Sequence, residues 1–199
     1  MTLSIDDKYD LIYAHEEQFA YRLGNEVVKK PEVSVWMILI PILFLHHMQK
    51  VNQYKAGVRS FAQGILAPQK KALDKAYKEA SAGEKIHYDL KDYFSESDIT
   101  AEKQQRTLAE KQVRVIRVME EHYLAMLTVS AETFADLLKR AYLNRGEYRR
   151  YLNRLEKAEK ELYEYLKNEV HTTEASREVI KQIEKSCERL RAEEMRRLF

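Results

Sequence analysis

The sequence predicts an all-α protein, an elongated multi-helix bundle with long, antiparallel, coiled-coil-like helices. Among its 199 residues are only five Gly and three Pro, too few for the many corners of a β-sandwich or barrel. Hydrophobic residues make up 45% of the chain, so the 33% of charged residues indicates solvated helix surfaces and not disorder. Apolar residues also recur every three or four positions over most of the chain, which is the helical period.

The first helix is predicted from Ser4 to about Val28. Ser4 with Asp7 three positions later has the spacing of an N-cap and its acidic partner. Apolar residues then follow at helical spacing: Ile12, Phe19, Leu23 and Val27. Two lysines before Pro31 predict the end of this helix, because a residue that precedes proline leaves the α region.

The next amphipathic stretch covers residues 51–65, with apolar residues spaced three and four apart. A new helix is predicted to begin at Ala67 and Pro68, because proline is favoured in the first turn of a helix. Gly83 is predicted to follow the last residue of that helix. Residues 84–99 are a polar connection with room for a short helix.

From Thr100 the pattern is helical again and close to a coiled-coil seam. The seam residues are Ile116, Met119, Tyr123, Leu127, Ser130, Phe134, Leu137 and Ala141. Ser130 either caps a new helix or points sideways, and residues 144–146 predict a break. A further helix is predicted to end near His171, and Thr172 or Thr173 caps the last one. Residues 1–83 and 100–199 are two portions that can pack as one domain.

One segment differs from the rest of the chain. Residues 33–45 carry a single hydroxyl and no charge, and they are apolar on every side of a helix. Pro41 predicts a bend or break after Ile40, since proline in a helix interior costs about 3 kcal/mol. The candidate contact residues are Val35, Trp36, Ile38, Leu39, Pro41, Leu43, Phe44 and Leu45, and the candidate basic flank is Lys29, Lys30, Lys50, Lys55 and Arg59.

Three environments can cover this segment. As the central helix of a bundle it would be enclosed by neighbouring helices, which is the usual reading of so short an apolar run. With basic residues on both sides, it can instead dip into an anionic membrane surface. A protein partner or a second copy of the chain is the third possibility. A single cysteine and no secretory signal favour the cytoplasm, including the inner face of its membrane.

The sequence offers little evidence for catalysis. It contains no phosphate-binding glycine loop, no G-x-S-x-G and no C-x-x-C motif. Only Glu84 and His87 have the Glu-x-x-His spacing of a di-iron bundle, which requires two such pairs. The six histidines are interpreted as surface or rim residues, and Cys187 as a buried, inert thiol. We therefore expect no cofactor and no metal, and catalysis only if distant helices assemble a site.

A basic patch lies around the break at residues 144–146. Its members are Lys139, Arg140, Arg145, Arg149, Arg150 and Arg154, interleaved with Tyr142, Tyr148 and Tyr151. This composition can bind a polyanion and stack bases. Acidic neighbours and a net charge of only +2 disfavour nucleic-acid binding.

The leading functional hypothesis from the sequence is a non-enzymatic interaction or scaffold protein, attached peripherally to a membrane through residues 33–45 or engaged there with a partner. The alternative is a soluble helical-bundle enzyme or ligand-binding protein in which the apolar segment is a buried core helix. Nucleic-acid binding through the basic patch is a second alternative.

Overall fold

The computed structural model describes residues 2–28, 41–94, 103–168 and 173–199, with side chains described from residue 52 onward in the second stretch. These residues form six α-helices and no strand, which confirms the predicted all-α bundle. The helices are α1 (Ile5–Val27), α2 (Pro41–Ala82), α3 (Lys103–Thr128), α4 (Phe134–Tyr142), α5 (Arg145–Asn168) and α6 (Glu174–Leu198), with a 3₁₀-helix at Leu90–Asp92. The elongated, coiled-coil-like character stays a prediction.

Local signals placed several helix ends correctly. The Ser4 side chain accepts a hydrogen bond from the Asp7 amide while the Asp7 carboxylate accepts one from the Ser4 amide, forming a capping box at α1. Thr173 caps α6 in a similar way by accepting from the Ser176 amide. Gly83 has a φ of +69° just after α2, a conformation that suits glycine. The predicted bend after Ile40 lies at the edge of the described residues, where α2 begins at Pro41.

One predicted boundary is wrong, and the structure locates two others more closely. Pro68 does not begin a helix but lies inside α2, where it cannot donate a hydrogen bond to the Gly64 carbonyl. Gly64 is exposed, so water can reach this carbonyl and the helix tolerates the loss. Thr133, not Ser130, caps α4. The break between α4 and α5 falls at Leu143, whose φ is +46°, and Gly146 lies in the first turn of α5.

Five of the helices pack in a ring. Around the ring the order is α1, α2, α3, α5 and α6, and α6 returns to α1. The short helix α4 packs against α1, α3 and α5. In idealised rings whose neighbouring helix axes are about 9.5 Å apart, the centre of a five-helix ring lies roughly 8 Å from each helix axis. In a four-helix ring this distance is roughly 7 Å. A five-helix ring therefore leaves more central space for its side chains to fill.

Lys8 links α1 to the end of α3. Its side chain is buried, and its Nζ donates a hydrogen bond of 2.9 Å to the carbonyl of Leu127. The last carbonyls of a helix carry partial negative charge and have no partner within the helix. The buried ammonium of Lys8 therefore satisfies one of them.

Helices α1 and α2 approach closely at Gly24. A Cβ at this position would lie 3.2 Å from both the Cγ1 and the carbonyl oxygen of Val58, and 3.4 Å from Phe61. These contacts are tighter than ordinary van der Waals distance, and the Val58 oxygen belongs to a rigid helix backbone. The absence of a side chain at Gly24 thus sets the distance between the two helices.

We expect Gly24→Ala to lower the free energy of unfolding by about 1 kcal/mol, because overpacking of about 1–3 kcal/mol outweighs the helix propensity that alanine gains. Gly57→Ala is the matched control. Among the described residues its Cβ would meet Val28 alone, at 3.6 Å, so this variant should gain about 0.5–1 kcal/mol from helix propensity. Urea unfolding followed by circular dichroism measures both, and equal effects of the two changes would contradict the packing argument.

Candidate functional site: a cavity inside the helix ring

The helix ring borders a partly open cavity of about 510 Å³. This volume falls within the roughly 300–1,000 Å³ that is typical of small-molecule sites. Each of the five ring helices contributes side chains, and α4 and the α2–α3 connection add one phenylalanine each. Its aromatic lining consists of Phe19, Phe94, Tyr123, Phe134, Tyr148, Tyr151 and Tyr163, and its charged or titratable polar lining of His15, Glu16, Lys71, His122, Glu159, Arg191 and Glu194.

His15 and Glu194 form a partly buried ion pair between α1 and α6. The His15 Nε2 lies 2.8 Å from the Glu194 carboxylate, which also accepts a 2.7 Å hydrogen bond from the Tyr148 hydroxyl. Burial lowers the pKa of His15, but the carboxylates of Glu16 and Glu194 outweigh it and raise this pKa to about 9. Burial likewise raises the pKa of Glu194, yet its hydrogen bonds and the charge of His15 hold it below the usual value. The ring of His15 is therefore an imidazolium at neutral pH.

A second partly buried ion pair joins α5 and α6. The Arg191 guanidinium contacts both carboxylate oxygens of Glu159, at 2.5 and 2.7 Å. Burial lowers the pKa of Arg191, but the charge of Glu159 raises it well above the usual value. The Cζ atom of Arg191 also lies over the ring of Phe19, 5.9 Å from the ring centroid. This bidentate pair fixes one wall of the cavity in a single geometry.

His122 lies in an aromatic cluster at another wall. Its ring stacks on Tyr151 with centroids 4.1 Å apart, and its Nδ1 lies 2.7 Å from the Tyr142 hydroxyl. Burial lowers the pKa of His122 to about 3, so this imidazole is neutral at physiological pH. At physiological pH, His15 is therefore charged and His122 is neutral, because only His15 contacts carboxylates.

Two buried polar atoms of the cavity-lining residues have no hydrogen-bond partner in the described part of the chain: Nδ1 of His15 and Oε1 of Gln69. Gln69 is 8% exposed. Leaving a buried polar atom without a partner costs about 1–3 kcal/mol. A bound molecule or ordered water that hydrogen-bonds these residues would recover that cost.

The structure does not assemble a metal site or an activated nucleophile at the cavity. No group of three or more His, Cys, Asp or Glu in the described residues could hold a metal ion, and His87 is exposed in the α2–α3 connection. Cys187 is buried as predicted, and burial raises the pKa of its thiol to about 12. The protonated thiol is a poor nucleophile.

The predicted contact segment, residues 33–45, falls outside the residues whose side chains the structure describes, as do Lys29, Lys30 and Lys50. Lys55 and Arg59 are exposed on α2. The described ranges contain no helix that is long and apolar enough to span a membrane.

The basic patch is only partly free of acidic partners. Arg150 pairs with Glu147 and Arg154 with Glu121. The interleaved Tyr148 and Tyr151 are buried in the core. They are therefore not available for stacking on nucleic-acid bases. The remaining basic residues of the patch are exposed: Lys139, Arg140, Arg145 and Arg149.

Sequence reasoning missed the residues that converge on the cavity. His15 and His122 were interpreted as surface or rim histidines, yet His122 is only 5% exposed and the His15 side chain only 17% exposed. The signal that could have located them is their position next to apolar residues of the helical repeat. His122 directly precedes the seam residue Tyr123. Glu159 and Arg191 each lie one position after an apolar residue, Ala158 and Leu190, that belongs to the helical repeat of its own helix. Polar residues beside an apolar seam can face a neighbouring helix, but the sequence does not specify which one.

Comparison with known proteins gives no family for this chain. No protein-family model, no curated protein and no solved structure matched it.

Proposed function

We propose that this protein binds a small, largely apolar molecule in the cavity of its helix ring. The observation that carries the proposal is the cavity of about 510 Å³, whose lining combines aromatic rings with two fixed ion pairs. Ligand sites in proteins have this composition, in which apolar walls supply affinity and a few positioned polar groups orient the molecule. The proposal develops the ligand-binding alternative that the sequence left open.

Two further features support binding as opposed to simple structural packing. The unpartnered Oε1 of Gln69 and Nδ1 of His15 leave hydrogen-bonding capacity on the residues around the cavity. The cavity lining is mainly apolar and comes from five helices, so a bound apolar molecule would gain dispersion contacts with several helices at once.

The neutral dye N-phenylnaphthylamine tests this proposal, because its fluorescence rises in apolar surroundings. We expect saturable binding with one dye per chain. Gly64 is an exposed residue of the cavity lining, and no described residue would lie within 4 Å of a Cβ there. Gly64→Phe should therefore place a ring at the cavity and weaken dye binding at least about tenfold.

Gly64→Ala is the control, since it makes the same change in backbone propensity with little added volume. It should leave dye affinity unchanged. A dye signal that does not saturate, or that Gly64→Phe leaves intact, would contradict binding in the cavity.

A second candidate function rests on the sequence of residues 33–45 and its basic flanks. We propose that this segment attaches the protein peripherally to an anionic membrane surface on the cytoplasmic side. Apolar residues that are flanked by lysine and arginine gain both apolar burial and attraction to anionic lipid. A protein partner or a second copy of the chain is the alternative cover for this segment. Self-association is therefore tested if membrane binding fails.

Trp36 is the only tryptophan and lies in this segment, so its fluorescence reports on membrane contact directly. With phosphatidylserine-containing vesicles at low ionic strength, we expect a blue shift of its emission and quenching by brominated lipid. Lys29→Ala with Lys30→Ala should weaken the vesicle affinity. No spectral change with anionic vesicles would refute membrane attachment, and light scattering would then test self-association.

A further inference from the structure

We infer that the cavity recognises an organic cation, a molecule with an apolar, aromatic-compatible body and an ammonium or amidinium group that pairs with Glu16. This inference rests on the proposed function and specifies the class of ligand. The observations that carry it are the charge balance and the aromatic composition of the cavity wall.

Glu16 is the carboxylate left over by the two ion pairs of the cavity. Glu194 is neutralised by His15 at 2.8 Å, and Glu159 by the bidentate guanidinium of Arg191. Glu16 lies near His15, Tyr123 and Tyr151. Its Oε1 is 3.9 Å from the His15 Nδ1, beyond hydrogen-bond distance. Among the described residues, no lysine or arginine forms an ion pair with Glu16. His15, Glu16 and Glu194 together comprise one imidazolium and two carboxylates. These three residues therefore carry one excess negative charge.

This carboxylate is not freely solvated. The Glu16 side chain is 15% exposed, and it is close enough to Tyr123 and Tyr151 for its charge to raise their pKa values further, beyond the effect of their burial. In such partly buried surroundings, the interaction between opposite charges is several times stronger than in water. A ligand cation near Glu16 would therefore gain much more than it would at the protein surface.

Aromatic rings around the carboxylate complete a cation-binding environment. A cation is attracted to the face of an aromatic ring within about 6 Å of its centroid, and desolvation strengthens this attraction. The cavity lining contains seven phenylalanine and tyrosine rings. It already accommodates one such contact, between Arg191 and Phe19.

Lys71 is the remaining cation of the lining and has its own partners. Its Nζ donates a hydrogen bond to the carbonyl of Tyr93 and lies 4.7 Å from the centroid of the Phe94 ring. Both partners belong to the α2–α3 connection, whereas Glu16 lies on α1. Lys71 thus attaches the connection to α2 and leaves the charge of Glu16 available.

Three probes that share one ring system test the inference: naphthylmethylamine, naphthylmethanol and naphthoate. Their affinities for the full chain are measured by titration calorimetry at neutral pH and low ionic strength. We expect the amine to bind about tenfold more tightly than the alcohol, and the carboxylate to bind most weakly, as one partly buried charge pair implies. Glu16→Gln should remove the preference for the amine. Glu17→Gln, an exposed neighbour on the same helix, should retain it.

The outcomes separate this inference from the proposed function. If the alcohol binds and the amine binds no more tightly, the cationic ligand is refuted while the cavity remains a binding site. If the amine is preferred but Glu16→Gln keeps that preference, Glu16 is not the recognising group and the inference fails. If neither the three probes nor N-phenylnaphthylamine binds, the proposed function itself fails. The comparison of probes on the unaltered chain does not depend on the folding of any variant.

Discussion

Replacing Glu159 by Gln is expected to lower the free energy of unfolding by about 2–3 kcal/mol, because it leaves the partly buried Arg191 guanidinium without its carboxylate. The side chains of Glu159 and Arg191 are 14% and 16% exposed, and their two contacts are 2.5 and 2.7 Å long. At this exposure, water compensates the lost carboxylate only in part. The cost therefore reflects the uncompensated charge and not the strength of the pair itself.

Urea unfolding measures this loss, and an exposed ion pair provides the control. Arg154 and Glu121 pair on the surface, where their side chains are 57% and 63% exposed. Glu121→Gln should cost no more than about 1 kcal/mol, as for other surface ion pairs. Similar losses in the two variants would show that burial does not determine the energetics of the Glu159 pair.

The second large effect is a loss of stability at alkaline pH. The pKa of His15 rises from 6.5 to about 9 on folding, so the folded protein holds this proton more tightly than the unfolded chain does. The stabilisation is fully present below pH 6.5 and is lost as the pH rises through about 9. With 1.36 kcal/mol for each pKa unit, His15 should contribute about 3 kcal/mol that disappears over this interval.

Unfolding free energies measured between pH 6 and pH 9 test this expectation. His15→Gln should flatten the decline, because glutamine can donate a hydrogen bond to Glu194 but does not titrate. An unchanged pH dependence in the variant would show that His15 is not the responsible group. Titration of the His15 ring by NMR locates its pKa independently of unfolding.

Local sequence signals predicted the helices well because they act within a few residues. The capping box at Ser4, the cap at Thr173 and the left-handed Gly83 each satisfy backbone groups in their own helix turn. The seam residues Ile116, Met119 and Tyr123 are likewise buried as their spacing implies. Periodicity alone was enough for these positions.

Pro68 shows where local signals failed. Proline is favoured in the first turn of a helix, so Ala67 and Pro68 predicted a helix start, yet α2 continues through Pro68. Packing of α2 against α1 and α3 outweighs the cost of one lost backbone hydrogen bond. Helix propensity is a weak preference that tertiary contacts can override.

The sequence by itself determined that the chain is helical, where several helices begin and end, and which side of each helix is apolar. These properties depend on the spacing and chemistry of neighbouring residues. Only the tertiary structure decided that five helices form a ring and that His15, Glu16 and Glu194 meet at a shared cavity. Residues 15 and 194 are separated by almost the entire chain, and their contact depends on which helices become neighbours. That choice is made by the packing of apolar faces over the whole molecule, which no local spacing records.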